Sequence, residues 1–244
     1  MEWAERQVAL NRVLTAASLE YPFRWLGLRE GAMSAALWKV GAMPAPPFMA
    51  IVGSRSPSNE QASLADRIAT EAVRAGFSIV SGGAWGVDRI AAQAAKRVSS
   101  GRVVEMLPTG ISGSDDSDGI ARLSLFEPEA EFSTARAMAR NHAIYSLAEA
   151  AFVIGPRFRE GGTWHGCVSA LRARLTRVFV LETGSKRATT ALAAMGATLV
   201  PASTSFAEAL AMPRSPMQPS WFVGEPGRDR SDRPARFAIA QVHC

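Results

Sequence analysis

An α/β fold with a doubly wound, mostly parallel Rossmann-like sheet is the class the sequence predicts, and three observations predict it. From residue 48 onward, apolar runs of strand length alternate with longer stretches of helical period. The runs are apolar at consecutive positions, as in Phe48-Met49-Ala50-Ile51-Val52 and Ala150-Ala151-Phe152-Val153-Ile154, which suits strands covered by helices on both faces. Several runs end in glycine-containing turns that lead straight into a helix, as parallel βα units require.

Taken in order, residues 1–46 read as a helical N-terminal segment. Its two helices are Glu2–Leu19 and Arg24–Val40, broken at Tyr21-Pro22 and closed by Pro44, Pro46 and Pro47. The Rossmann-like domain spans 47–212, with strands near Phe48–Gly53, Phe77–Ser81, Arg102–Leu107, Ala150–Ile154, Val178–Glu182 and Thr198–Val200. Ser58 with Gln61 three residues on forms a capping box, and Gly76 closes that helix. Ser205 and Glu208 open the last helix in the same way. Between Leu107 and Thr134 the pattern fails, and Gly110, Gly113, Ser114, Asp115, Asp116, Ser117, Asp118 and Gly119 read as a mobile polar surface loop. Residues 213–244 form a Pro/Arg-rich tail, with five arginines and three acids between Arg214 and Arg236, expected to be extended or disordered.

Composition narrows the function. No stretch reaches the roughly 18 to 20 uncharged apolar residues of a membrane span, and Glu2, Glu5 and Arg6 near Met1 do not fit a signal-peptide core. A cytoplasmic protein without membrane contact is expected. Cys167, Cys244 and the histidines His142, His165 and His243 lack zinc-ligand spacing, so free thiols and no metal are expected. A calcium loop at Asp116-x-Asp118-Gly119 fails because Ser114 and Leu125 would stand where carboxylates are needed. Of 27 Lys and Arg residues only Lys39, Lys96 and Lys186 are lysines, and a net charge of +5 permits nucleic-acid binding.

The turns carry the chemistry. Gly53-Ser54-Arg55 follows the first strand of the domain, and Glu160-Gly161-Gly162-Thr163 follows the strand at Ala150–Ile154. In the common strand order these two strands are neighbours at the topological switch point, where open α/β sheets bind ligands. Glycine amides and a helix N-terminus there suit a phosphate, and Arg55 adds a guanidinium fork. Ser81-Gly82-Gly83-Ala84-Trp85-Gly86-Val87-Asp88 supplies a third glycine turn, with Trp85 placed to stack on a base or cover the sheet edge. Asp88 reads as a carboxylate stabilising the start of the following helix. Arg140-Asn141 lies on the helix leading into the fourth strand, where pairing with Glu149 and contact with a ligand are equally open. Arg157 and Arg159 flank the second glycine turn as loop charges or as a track for phosphates. Neither a dinucleotide fingerprint nor a Walker A loop is present, which excludes the usual routes to hydride transfer and ATP hydrolysis.

Gly53-Ser54-Arg55, Ser81 to Asp88, Arg140-Asn141 and Gly161-Gly162-Thr163, in this order and preceded by Tyr21-Pro22, resemble the DNA-processing protein A (DprA, or Smf) family over about residues 20–200. Leu107-Pro108-Thr109-Gly110 fits the same layout. The resemblance implies an extended Rossmann-like domain that binds and protects single-stranded DNA without sequence preference. It also implies loading of a RecA-type recombinase in natural transformation, as a homodimer, with no catalysis and no cofactor. It implies that Ser54, Arg55, Gly82, Gly83, Arg140, Asn141, Gly161, Gly162 and Thr163 surround the DNA backbone; the turns themselves add Gly53, Trp85, Arg157 and Arg159 to the candidate phosphate and DNA contacts. Where the family has Lys-Ser-Gly, this chain has Glu160-Gly161-Gly162, and no C-terminal winged-helix unit is expected. Two alternatives stay open: a nucleotide-binding sensor domain, and a LOG-like nucleoside monophosphate hydrolase in which Glu160 supplies the carboxylate.

Overall fold

The computed structural model describes residues 12–26, 36–111 and 118–213. Nine strands among them form one sheet: β1 (Val13–Thr15), β2 (Ala36–Val40), β3 (Phe48–Gly53), β4 (Ser78–Ser81), β5 (Val103–Leu107), β6 (Ala121–Ser124), β7 (Ala150–Ile154), β8 (Arg177–Leu181) and β9 (Thr198–Val200). The spatial order is β1-β2-β6-β5-β4-β3-β7-β8-β9. From β6 to β9 every neighbouring pair is parallel, and β2 joins β6, and β1 joins β2, antiparallel. The direction of winding reverses between β3 and β7, which places the switch point there, as expected.

Seven helices among the described residues accompany the strands: α1 (Phe23–Leu26), α2 (Asn59–Arg74), α3 (Val87–Val98), α4 (Thr134–Leu147), α5 (Gly161–Ala173), α6 (Lys186–Ala194) and α7 (Phe206–Ala211). Alternate strand residues serve opposite faces of the sheet. Ala50, Val52, Val80, Val104, Ala151 and Val153 face a core closed by α4, α5 and α6. Met49, Ile51, Ile79, Val103, Phe152 and Ile154 face a second core closed by α2, α3 and α7. The capping boxes at Ser58/Gln61 and Ser205/Glu208 are both formed and start α2 and α7. Among the described residues no helix is long and apolar enough to cross a membrane.

The sheet corrects the reading of the N-terminal segment as helical. Within Glu2–Leu19, residues Val13–Thr15 are a strand, and within Arg24–Val40, residues Ala36–Val40 are another. The reason is the period: Leu37 and Lys39 are buried while Ala36, Trp38 and Val40 are partly exposed, an alternation of two. Lys39 tolerates this face because its Nζ donates to Glu20 Oε2 at 2.6 Å. Only Phe23–Leu26 is helical among the described residues before β3. A further strand, β6, occupies part of the stretch between Leu107 and Thr134 where no element was expected, and it bridges β5 to β2. Residues 112–117 of the polar loop and the tail from Arg214 onward lie outside the described residues.

Candidate functional site

The strand register sets the C-terminal ends of β3 and β7 side by side, with Gly53 opposite Ile154. The turn after β3 is fixed from both sides: Ser54 N donates to Ile154 O at 3.0 Å, and Ser54 O accepts from Val87 N at the start of α3, also at 3.0 Å. Gly86, at φ +84°, makes that second contact possible, since a Cβ there would overlap the Ser54 and Arg55 backbone. Thr163, in the first turn of α5, donates its Oγ1 to Gly53 O at 2.8 Å and ties the second glycine turn to the first. Asn141 Nδ2 reaches Gly162 O at 3.5 Å.

Helix α5 starts without a side-chain cap, because Glu160 at its N-cap makes no capping bond. Its first amides and the positive end of its dipole therefore remain available at the switch point. Glu160 instead pairs with Arg157 at 3.0 Å, both side chains well exposed. The Arg159 guanidinium lies 5.3 Å from the Phe158 ring centre. The two loop arginines are thus held within their own turn at the rim.

Beneath the turns sits a buried polar pair. Arg140 on α4 is 7% exposed. Its Nη1 lies so close to Gly82 that a Cβ at that position would overlap it, so the glycine is a condition of the arginine's placement. The Arg140 Nε is buried with no hydrogen-bond partner among the described residues. Burial lowers its pKa, the Asp88 charge raises it, and nearby Arg55 lowers it again. Glu149, weighed in the sequence as a partner for Arg140, is taken by Arg24 at 2.7 Å. Asp88 was read as a helix-start carboxylate; it is 6% exposed and turns back toward the sheet. Its Oδ1 accepts from Gly53 N at 3.3 Å and its Oδ2 from Gly82 N at 2.9 Å. Burial pushes this carboxyl up to about 6, against the pull of Arg140 and of the Gly82, Gly53 and Ala84 amides.

The two amides expected to cradle phosphate, those of Gly53 and Gly82, are therefore already engaged by Asp88. Around the turns stand two guanidiniums, exposed Arg55 and buried Arg140, whose neighbour Asn141 reaches Gly162 in the uncapped first turn of α5. Trp85 stands apart, 72% exposed, with the Arg89 guanidinium 4.3 Å from its ring centre. Gly83 lies over the half-buried Glu105 carboxylate of β5, which a Cβ would approach to 3.1 Å. Among the described residues no group of His, Cys, Asp and Glu is placed to hold a metal ion.

Residues 12–211 match the family described as DNA recombination-mediator protein A. The chain belongs to this family. Solved structures agree on the fold. DNA processing protein A from Streptococcus pneumoniae superposes with a TM-score of 0.66 at 22% identity, covering 85% of this chain and 77% of that one. DNA processing protein A from Helicobacter pylori, whose structure was described for its single-stranded DNA binding mode, gives 0.58 at 22% identity over 74% of this chain and 86% of that one. The molybdenum cofactor carrier protein of Chlamydomonas reinhardtii gives 0.50 at 18% identity over 68% of this chain and 95% of that one. No curated protein sequence matches the chain.

Proposed function

We propose that this member of the recombination-mediator family binds single-stranded DNA without sequence preference, through backbone phosphates at the β3/β7 switch point. One observation carries the reading: Arg140 is buried, its Nε has no partner among the described residues, and the adjacent Asn141 reaches Gly162 in the uncapped first turn of α5. A buried guanidinium is costly unless its charge is matched by hydrogen-bonding acceptors, and phosphate oxygens match it in charge and geometry. Family membership and the relative from Helicobacter pylori support the same ligand class.

In this reading Arg140 and the first amides of α5 hold one phosphate, and Arg55 reaches the next along the strand. Gly53, Ser54, Gly82 and Gly83 shape the floor, and Gly161, Gly162 and Thr163 form the wall with Asn141 behind them. Arg157 and Arg159 extend the positive rim, and Trp85 offers a stacking face to one base. Loading of a RecA-type recombinase, as a homodimer in the cytoplasm, is the role we infer from the family, with binding and not catalysis as the activity. The carboxylate that a hydrolase would need, Glu160, is instead exposed and held by Arg157.

The test is fluorescence anisotropy of a labelled oligothymidine across a salt series, with parent and Arg55→Ala proteins and a mononucleotide competitor. Affinity is expected to fall by about 0.7 log units per log unit of salt for each phosphate neutralised, and Arg55→Ala to bind more weakly with a shallower slope. Salt-insensitive binding, or displacement by a low concentration of mononucleotide, would replace this reading with a nucleotide sensor.

A further inference from the structure

Asp88 joins the two turns in a way that the phosphate-binding reading does not require. Its two carboxylate oxygens accept from Gly53 N at the end of β3 and Gly82 N at the end of β4, adjacent strands whose turns both face the site. The same carboxylate is the counter-charge of Arg140, whose Nη1 packs on Gly82 itself. One side chain thus fixes the separation of two turns and the place of the guanidinium above them.

We propose that Asp88 is a positioning residue for phosphate binding, acting through Arg140 and the Gly53 and Gly82 amides without touching the ligand. The proposal rests on the phosphate-binding reading of the switch point. It makes a prediction opposite in sign to simple electrostatics. Removing a negative charge near a phosphate site should tighten binding if charge alone matters. Removing the clamp should weaken it, because a buried arginine that loses its counter-charge is strongly destabilised where it sits. In Asp88→Asn, moreover, one of the two glycine amides would face an NH2 group in place of an acceptor.

Protonation of Asp88 should act in the same direction as the substitution. The charged and titratable groups around it are Arg140 and Tyr145 on α4, Cys167 behind Tyr145 on α5, Arg55 after β3, Arg89 on α3, and Glu105 on β5 beyond Gly83. Burial keeps Tyr145 protonated and pushes the Cys167 thiol up to about 12. Glu105, raised by burial, and His142 on α4, lowered by burial, are the other groups to separate from Asp88.

The experiment uses the full chain and a labelled oligothymidine. At about pH 7.5 and low salt, Asp88→Asn is expected to bind at least about tenfold more weakly, the loss of one charge-assisted hydrogen bond. Parent affinity is expected to fall as pH drops through about 6, with Glu105→Gln and His142→Gln keeping that profile and Asp88→Asn flattening it. Equal or tighter binding by Asp88→Asn, parent affinity that rises on acidification, or a profile abolished by Glu105→Gln or His142→Gln overturns the proposal. A second arm needs neither DNA nor a variant: in the parent, the Gly53 and Gly82 amide resonances should shift together with one midpoint near 6. If they do not move together, the clamp is absent. Failure of the parent to bind oligothymidine would instead sink the functional reading while the amide titration still decides the clamp.

Discussion

At the N-terminal ends of the strands Arg24, Arg102 and Arg177 direct their guanidiniums at main-chain carbonyls, whereas at the C-terminal ends no hydrogen bond or ion pair reaches Arg140 or Arg55 from the described residues. Arg24 donates to Ser146 O and Leu175 O and pairs with Glu149. Arg177 donates to Leu210 O at 2.9 Å, to Pro213 O at 3.2 Å and to Met212 O, so it caps the C-terminal end of α7. The contrast teaches that arginine count says little about binding in this chain. The same side chain is a strap where carbonyls surround it, and in the proposed reading a receptor where only Asp88 and glycine do.

The sharpest way to break this comparison is Arg140→Ala. If the upper arginines are receptors, single-stranded DNA affinity should fall by about 1.5–3 kcal/mol, the range for hydrogen bonds to charged groups. Stability should fall as well, because the buried Asp88 carboxylate loses its counter-charge. Anisotropy and urea unfolding on the same preparation decide it. A protein that loses stability and keeps its affinity would make Arg140 another strap.

A second test asks whether the upper site carries the electrostatic cost that its burial implies. The Asp88 carboxyl is raised in the folded protein to about 6, above the ordinary value near 3.9 in an unfolded chain. Between those values the native state holds a proton that the unfolded state has released. Stability from this group is therefore fully present below about pH 4 and is lost as pH rises through about 6. The parent minus Asp88→Asn difference in urea stability should shift by on the order of 3 kcal/mol across that window and be flat above it. A difference independent of pH would mean that Asp88 is solvated and the pair is not buried.

At the opposite end the expectation reverses. Arg177→Ala should destabilise by about 1–2 kcal/mol, through carbonyls left without donors, and leave DNA affinity unchanged. Its salt slope should match that of the parent. A fall in affinity would show that the strap region also meets the strand.

Legibility in the sequence follows the same division. β3, β4, β7 and β8 were readable because nearly every residue in them is buried, so an apolar run and a turn suffice, as Ala150–Ile154 illustrates. β2 was not, since its buried face includes Lys39, and only Glu20, 19 residues away, makes that burial possible. β6 is four residues long and has no period to read. The three glycine turns were legible because strand-to-helix junctions declare themselves locally, and their convergence followed from the strand order. Asp88 was legible only as a helix-start residue: its position in the first turn satisfied the dipole argument, and nothing local reveals an acceptor for Gly53, 35 residues earlier. Arg140 could not be separated from Glu149 on paper, because the answer lay with Arg24, 125 residues from that carboxylate.

The smallest effect concerns the rim and sharpens where the receptor ends. Trp85 is 72% exposed, with Arg89 against its ring, so it contributes little to the core and has apolar surface to offer a base. Stacking of a base on an aromatic ring is worth about 1–3 kcal/mol. The low end applies here, because Arg89 already covers part of the ring and must be displaced or share it. Trp85→Ala is expected to weaken oligothymidine binding by about fivefold without changing the salt slope, since no phosphate contact is lost. Trp85→Phe should recover most of that loss. An abasic oligonucleotide should bind parent and Trp85→Ala equally, because the phosphate contacts alone remain. If the abasic strand still distinguishes the two proteins, Trp85 acts by holding Arg89 beside the phosphates, and the receptor region extends along α3.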